Sequence, residues 1–194
     1  MDLTSDVLAA GRLKALGVEI RTASAGCEAR LQQVERLSGE RFRDVGLAQI
    51  ADDDPPPVED LRRYIDDRRC LIAVDDDFED PEAAIVGYLL LGQVDGNAHI
   101  EQVSVIPDRQ GRGIGRLLVD GAERWALERE VHGVTLTTFT DVPWNRPLYE
   151  HLGFRVMDEQ EIGPELRRLR ETEAAHGLNP ESRVCMVLDL AAGN

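Results

Sequence analysis

With 194 residues, 42% of them hydrophobic and 30% charged, the chain fits one soluble globular domain with a sizeable core, and no apolar run approaches the ~20 residues of a membrane helix. Its 22 basic and 37 acidic residues give a net charge of −15 at pH 7, which opposes nonspecific binding to nucleic acid or an anionic membrane and favours a cationic or amine-bearing partner. Cys27, Cys70 and Cys185 form neither an even disulfide set nor a metal-ligand spacing, and the acidic start is unlike a secretory signal, so a metal-free protein of the reducing cytoplasm is expected.

Residues 1–17 carry Leu8, Leu13 and Leu16 but also Gly11 and Gly17, the pattern of a short marginal helix forming an N-terminal extension to a domain spanning 18–194. Val18 to Thr22 predicts a strand, followed by a helix with Ser24 as candidate cap and Leu31, Val34 and Leu37 on one face. Asp52-Asp53-Asp54-Pro55-Pro56-Pro57 breaks the chain, and a short helix resumes over Val58 to Asp67. Cys70 to Val74, Ala84 to Leu91 and Ala98 to Val105 predict three strands able to pair as an antiparallel meander, the last two separated by a turn at Asp95-Gly96-Asn97. A long helix follows from Gly113 to about Glu130, with Ile114, Leu117, Leu118, Ala122 and Trp125 on its apolar side. Val134 to Phe139 is then a strand, parallel to its predecessor across the helical crossover. Trp144 to Leu152 is a short helix stopped by Gly153, Phe154 to Met157 a strand, Pro164 to Ala175 a helix and Arg183 to Leu188 the closing strand.

Between the meander and the long helix stands Val105-Ile-Pro-Asp-Arg-Gln-Gly-Arg-Gly-Ile-Gly115. Glycines at 111, 113 and 115 let main-chain N–H groups approach an anion unhindered, and the helix start adds unpaired donors and the positive end of its dipole. Arg109, Arg112 and Arg116 add mobile positive charge. A pyrophosphate site is the inference, against the alternative of a ligand-free glycine turn. The dinucleotide fingerprint fails, because Arg116 or Leu118 occupies its last glycine position, and no Gly-Lys-Ser/Thr exists for a nucleoside-triphosphate loop.

Two motifs make the chain resemble the GNAT superfamily of acyl-CoA-dependent N-acetyltransferases over about residues 18–190: Gln110-Gly111-Arg112-Gly113-Ile114-Gly115, similar to the family's Arg/Gln-x-x-Gly-x-Gly/Ala, and Tyr149-Glu150-His151-Leu152-Gly153-Phe154, similar to its Tyr-x-x-x-Gly-Phe. The resemblance implies an α/β (α+β) fold with a mixed, mostly antiparallel sheet of about six to seven strands, splayed between strands 4 and 5, with helices on both faces. It implies acetyl-CoA as acyl donor, with main-chain groups of Val103, Ser104 and Val105 on the pantetheine arm and those of Gln110 through Gly115 on the pyrophosphate. The family's asparagine seven residues before the tyrosine is Val142 here, and Asn145 is the nearest candidate for that contact.

Acetyl transfer to an amine needs a deprotonated nucleophile, a stabilised oxyanion and a proton for the leaving thiolate. Glu101 and His99, two apart on one strand, are expected to share a face, where related enzymes place an acid or histidine toward the acceptor. Glu101 is the expected amine-binding group and water-relayed base, with His99 as helper or alternate; a solvated strand-surface pair is the other reading. Tyr149 matches the family's general acid, although between Leu148 and Leu152 it could simply pack. The expected function is transfer of an acetyl group from acetyl-CoA to a primary amine in a direct ternary complex. The alternatives are a non-catalytic acyl-CoA-binding or sensing module and, disfavoured by the missing fingerprint, a nucleotide-binding redox domain. The Pro164–Ala175 helix is expected to cover either the acceptor site or a homodimer face.

Overall fold

The computed structural model describes residues 17–190; all but Gly17 of the N-terminal extension lies outside the described residues. The strands are β1 Val18–Thr22, β2 Cys70–Asp75, β3 Ile85–Val94, β4 Asn97–Val105, β5 Gly133–Phe139, β6 Arg155–Val156 and β7 Arg183–Asp189. The helices are α1 Glu28–Gly39, α2 Ala48–Asp52, α3 Val58–Asp66, α4 Ile114–Leu127, α5 Arg146–His151 and α6 Pro164–Ala175. Hydrogen bonding orders the sheet β1-β2-β3-β4-β5-β7-β6, with β4 and β5 parallel and the pairs β1–β2, β2–β3, β5–β7 and β6–β7 antiparallel. This is the mixed, mostly antiparallel sheet expected. The chain divides into two compact units, one running to Leu91 and including Gln102–Gly121, the other comprising Gly92–Glu101 and the chain from Ala122 onward.

In the first unit the continuous apolar run of β3, Ile85-Val-Gly-Tyr-Leu-Leu-Leu91, is buried throughout, as a strand covered on both faces must be. Adjacent residues reveal the two covers. The Tyr88 hydroxyl reaches Glu35 of α1 at 2.6 Å, whereas a Cβ on Gly87 would stand 3.4 Å from Leu118 of α4. Successive strand residues point to opposite faces, so α1 and α4 lie on opposite sides of this sheet. Leu31 and Val34 of α1 are fully buried, but Leu37 is 39% exposed, contrary to expectation. Six residues past Leu31 it lies about 120° round the helix, and Ser38 takes the inward position instead. Ser24 is not the cap either: Cys27 holds the N-cap position without a side-chain bond, and the Glu28 carboxylate accepts the Gly26 N–H at 2.8 Å. The 3₁₀ turn Glu40–Val45 and the single-turn α2 are too short to leave a periodic signal.

The second unit begins at the β3–β4 hairpin, whose two turn residues Asp95 and Gly96 both have positive φ, 49° and 76°. β4 meets β5 over three pairs, Ala98–Val134, His99–Thr135 and Ile100–Leu136. That ladder stops there, while β5 continues to Phe139 against β7. Ile162, Leu166 and Cys185 form a core with Val94 and Met157 around α6. The Asp95 carboxylate caps α6 from 70 residues away, accepting the N–H groups of Glu165 at 3.0 Å and Leu166 at 2.9 Å.

Candidate active site

The predicted residues fall into two groups. Val103, Ser104, Val105, Gln110, Gly111, Arg112, Gly113, Ile114 and Gly115 belong to the first unit; His99, Glu101, Asn145 and Tyr149 belong to the second.

After β4 the chain makes a 3₁₀ turn over Pro107–Arg109, extends at Gln110, and passes through Gly111 (φ 73°) and Gly113 (φ 87°) into α4. Those left-handed dihedrals favour glycine. A Cβ on Gly111, Gly113 or Gly115 would meet nothing within 4 Å, so the turn borders open space at the start of a 14-residue helix. The turn is anchored from behind. The Gln110 amide donates to the Val105 carbonyl at 2.8 Å, and Ile114 is 1% exposed in the core.

The arginines are not uniformly mobile. Arg109 Nε donates to Asp75 Oδ2 at 2.6 Å, its guanidinium lies 5.0 Å from the Phe78 ring centroid, and Arg112 comes within 3.9 Å of the same carboxylate. Asp75 is wholly buried at the end of β2. Burial pushes its carboxyl up, but the Asp77 N–H, Arg109 and Arg112 outweigh that and hold it below the usual carboxylate range. Arg109 is therefore a strut of the turn.

The β4 segment is fixed through side chains that reach Glu35 of α1. Glu35 Oε2 accepts from Tyr88 Oη at 2.6 Å and Ser104 Oγ at 2.7 Å, and its Oε1 accepts from Gln102 Nε2 at 2.7 Å. Ser104 is thus committed to the protein by its hydroxyl. Val103 and Val105 are half-buried.

In the second unit His99 is 1% exposed and Glu101 is exposed. Thr135 Oγ1 lies 2.9 Å from His99 Nδ1 and donates its own proton to the Ala98 carbonyl at 3.3 Å. That leaves the hydroxyl oxygen as acceptor, so Nδ1 carries hydrogen and Nε2 the lone pair. Burial, aided by the charge of Arg183, pushes the His99 pKa down to about 4 and keeps the ring neutral at pH 7. Tyr149 is 8% exposed, its ring edge-on to Phe154 at 5.7 Å. Burial raises its phenol to about 12, with Arg183 pulling the other way. Arg183 is held by Glu173 at 2.7 Å and by Thr137 Oγ1 at 2.7 Å, a network that no local motif signals. Asn145 is the N-cap residue of α5; its carbonyl accepts the Leu148 and Tyr149 N–H groups, and its side chain makes no capping bond.

No group of three or more His, Cys, Asp or Glu suited to a metal occurs among the described residues, and none of their helices is long and apolar enough to cross a membrane.

The model of the Acetyltransferase (GNAT) family matches residues 31–154. Streptothricin acetyltransferase of Escherichia coli is 32% identical over 95 residues, 45% of this chain and 55% of that protein, so the chain spans about half the length of this curated relative. Among solved structures, a GNAT-family acetyltransferase of Staphylococcus aureus Mu50 superposes with a TM-score of 0.66 at 16% identity, covering 89% of this chain and 99% of the other. PaiA N-acetyltransferase of Thermoplasma acidophilum, solved in complex with coenzyme A, gives a TM-score of 0.62 at 17% identity over 89% and 99%.

Proposed function

Since the chain belongs to the GNAT acetyltransferase family, we propose that it transfers an acetyl group from acetyl-CoA to a primary amine in a direct ternary complex. The observation that carries this reading is the turn from Gln110 to Gly115, bordering open space with its glycines bare and its back anchored by Arg109 and Gln110. Such a turn suits a pyrophosphate, whose oxygens need several convergent N–H donors and room to approach them. Main-chain groups of Val103 to Val105 bind the pantetheine arm, and their side-chain neighbours Gln102 and Ser104, tied to Glu35, keep that backbone straight.

Glu101 binds the incoming ammonium and relays its proton through water. His99, neutral, buried and hydrogen-bonded to Thr135, supports that strand. Tyr149 keeps its proton throughout the neutral range and donates it to sulfur as the carbon–sulfur bond breaks. Asn145 serves by ending the turn that starts α5. The acceptor is a cationic amine-bearing molecule, in keeping with the net charge of −15, and streptothricin, the acceptor in the relative's name, is the first compound to try.

The test is a thiol-release assay with acetyl-CoA against streptothricin and a panel of polyamines, aminoglycosides, arylalkylamines and peptides, with mass spectrometry of the products. Release of free CoA matched by a singly acetylated amine is expected. Tight acetyl-CoA binding with no acetylated product across the panel would instead identify a binding module.

A further inference from the structure

Glycine inside a strand weakens it and commonly marks close approach by another group. β3 has such residues at 87 and 92, and they answer to different neighbours. A Cβ on Gly87 would come 2.8 Å from the Ser104 carbonyl oxygen, a backbone atom that cannot step aside. A Cβ on Gly92 would instead overlap Glu101 Oε1, standing 3.1 Å from its Cδ and 3.4 Å from its Cγ. The Glu101 side chain therefore lies down across position 92, with its carboxylate in the place a side chain would fill.

We propose that Gly92 is the seat of the Glu101 carboxylate, a positioning residue that fixes where the amine-binding group stands. The inference rests on the reading of Glu101 given above and adds a residue to it. The displaced group is the end of a flexible side chain, so an alanine at 92 can be accommodated by moving the carboxylate while the strand stays put. A strand position generally tolerates alanine better than glycine, so folding is preserved. The substitution thus moves the carboxylate without altering its chemistry.

The geometry also defines a rescue. Shortening Glu101 to aspartate places the carboxyl carbon where Glu101 Cγ now stands, 3.4 Å from the added methyl, an ordinary contact. Gly92→Ala and Glu101→Asp should consequently be coupled.

The experiment measures four variants, Gly92→Ala, Glu101→Gln, Glu101→Asp and Gly92→Ala/Glu101→Asp, for melting temperature, acetyl-CoA affinity by calorimetry, and steady-state kinetics with streptothricin or the best amine of the panel. A crystal structure of Gly92→Ala supplies a readout independent of turnover. Gly92→Ala should keep the parent's melting temperature and acetyl-CoA affinity, show the carboxylate displaced, and lose about 10- to 100-fold in kcat/KM for the amine. Adding Glu101→Asp should recover part of that loss rather than deepen it. Glu101→Gln separates the two ideas. If it matches the parent, the amine-binding reading of Glu101 is wrong and Gly92 has no role through it. If it is impaired while Gly92→Ala turns over like the parent, or while the two single losses simply multiply in the double variant, Glu101 stands and the seat is rejected.

Discussion

The glycine turn and the His99–Tyr149 region rest on opposite physical devices. At the turn the side chains are absent: bare main chain at Gly111, Gly113 and Gly115 borders open space, and the one strongly held cation, Arg109, is spent on Asp75. Around His99 and Tyr149 the side chains are buried, and burial moves one pKa down to about 4 and the other up to about 12. A site made of backbone announces itself in sequence, because only glycine permits it. A site made of burial does not, because His and Tyr look the same in a sequence whether wet or dry.

The sharpest way to break this contrast is Tyr149→Phe. The ring and its edge contact with Phe154 survive, and only the hydroxyl is lost. Single-turnover rates should fall about 10²–10⁴-fold with acetyl-CoA affinity nearly unchanged, because a positioned proton donor is worth that much. A variant whose chemical step keeps the parent's rate would leave thiolate protonation to water and reduce Tyr149 to packing.

Next comes the strut. Asp75→Ala leaves Arg109, only 20% exposed, without its buried partner, and should cost about 3 kcal/mol or more in urea denaturation. Replacing Arg109 with methionine in the same chain should return much of that stability, because removing both charges is cheaper than stranding one. Equal losses in single and double variants would mean that Asp75 acts through its Asp77 N–H bond alone.

These residues also mark how far sequence reasoning reached. Strand and helix positions were legible wherever an apolar pattern ran for a full element, continuous in β3 and helically periodic in α4, and Pro164–Ala175 was bounded by its own proline and glycine. The conformation of the glycine turn was legible for the same local reason. Asp75, Glu35 and Gly92 were not, since each acquires its meaning from a partner 9 or more residues away: Arg109 at a separation of 34, Ser104 at 69, and Glu101 across the hairpin. In sequence Asp75 looks like one more member of the acidic turn that follows it. Likewise His99 and Glu101 share a strand, yet one is sealed and the other open, a difference set by what Thr135 and β5 cover.

The burial of His99 makes a pH prediction. Its folded pKa lies below the unfolded value near 6.5, so between about pH 6.5 and 4 the unfolded chain binds more protons than the folded one. Stability is fully present above that window, is lost as pH falls through it, and levels off below about 4. Between pH 7 and 5 the histidine should account for about 2 kcal/mol of lost stability. His99→Asn retains a donor for Thr135 but cannot titrate, so denaturation at the two pH values should show a smaller decline by that amount. An unchanged decline would mean that His99 is wet in solution.

The smallest effect tests the backbone side of the contrast most finely, by setting Gly115 against Gly113. Both border open space, but Gly113 sits at φ 87° whereas Gly115 lies within α4 outside the left-handed region. Alanine at 115 therefore gains helix propensity without strain and should raise stability by about 0.5–1 kcal/mol. The resembled motif accepts either glycine or alanine at that place, so acetyl-CoA affinity should change little. Alanine at 113 meets no neighbour either, yet must adopt a dihedral that L side chains resist, at a cost of about 1–2 kcal/mol, or abandon it and turn the N–H groups away. Gly113→Ala should thus lower both stability and acetyl-CoA affinity while Gly115→Ala lowers neither. Equal affinity losses at the two positions would show that the methyl group's bulk in the cradle, rather than the direction of the main-chain donors, governs binding, and would move the emphasis from backbone conformation to empty space.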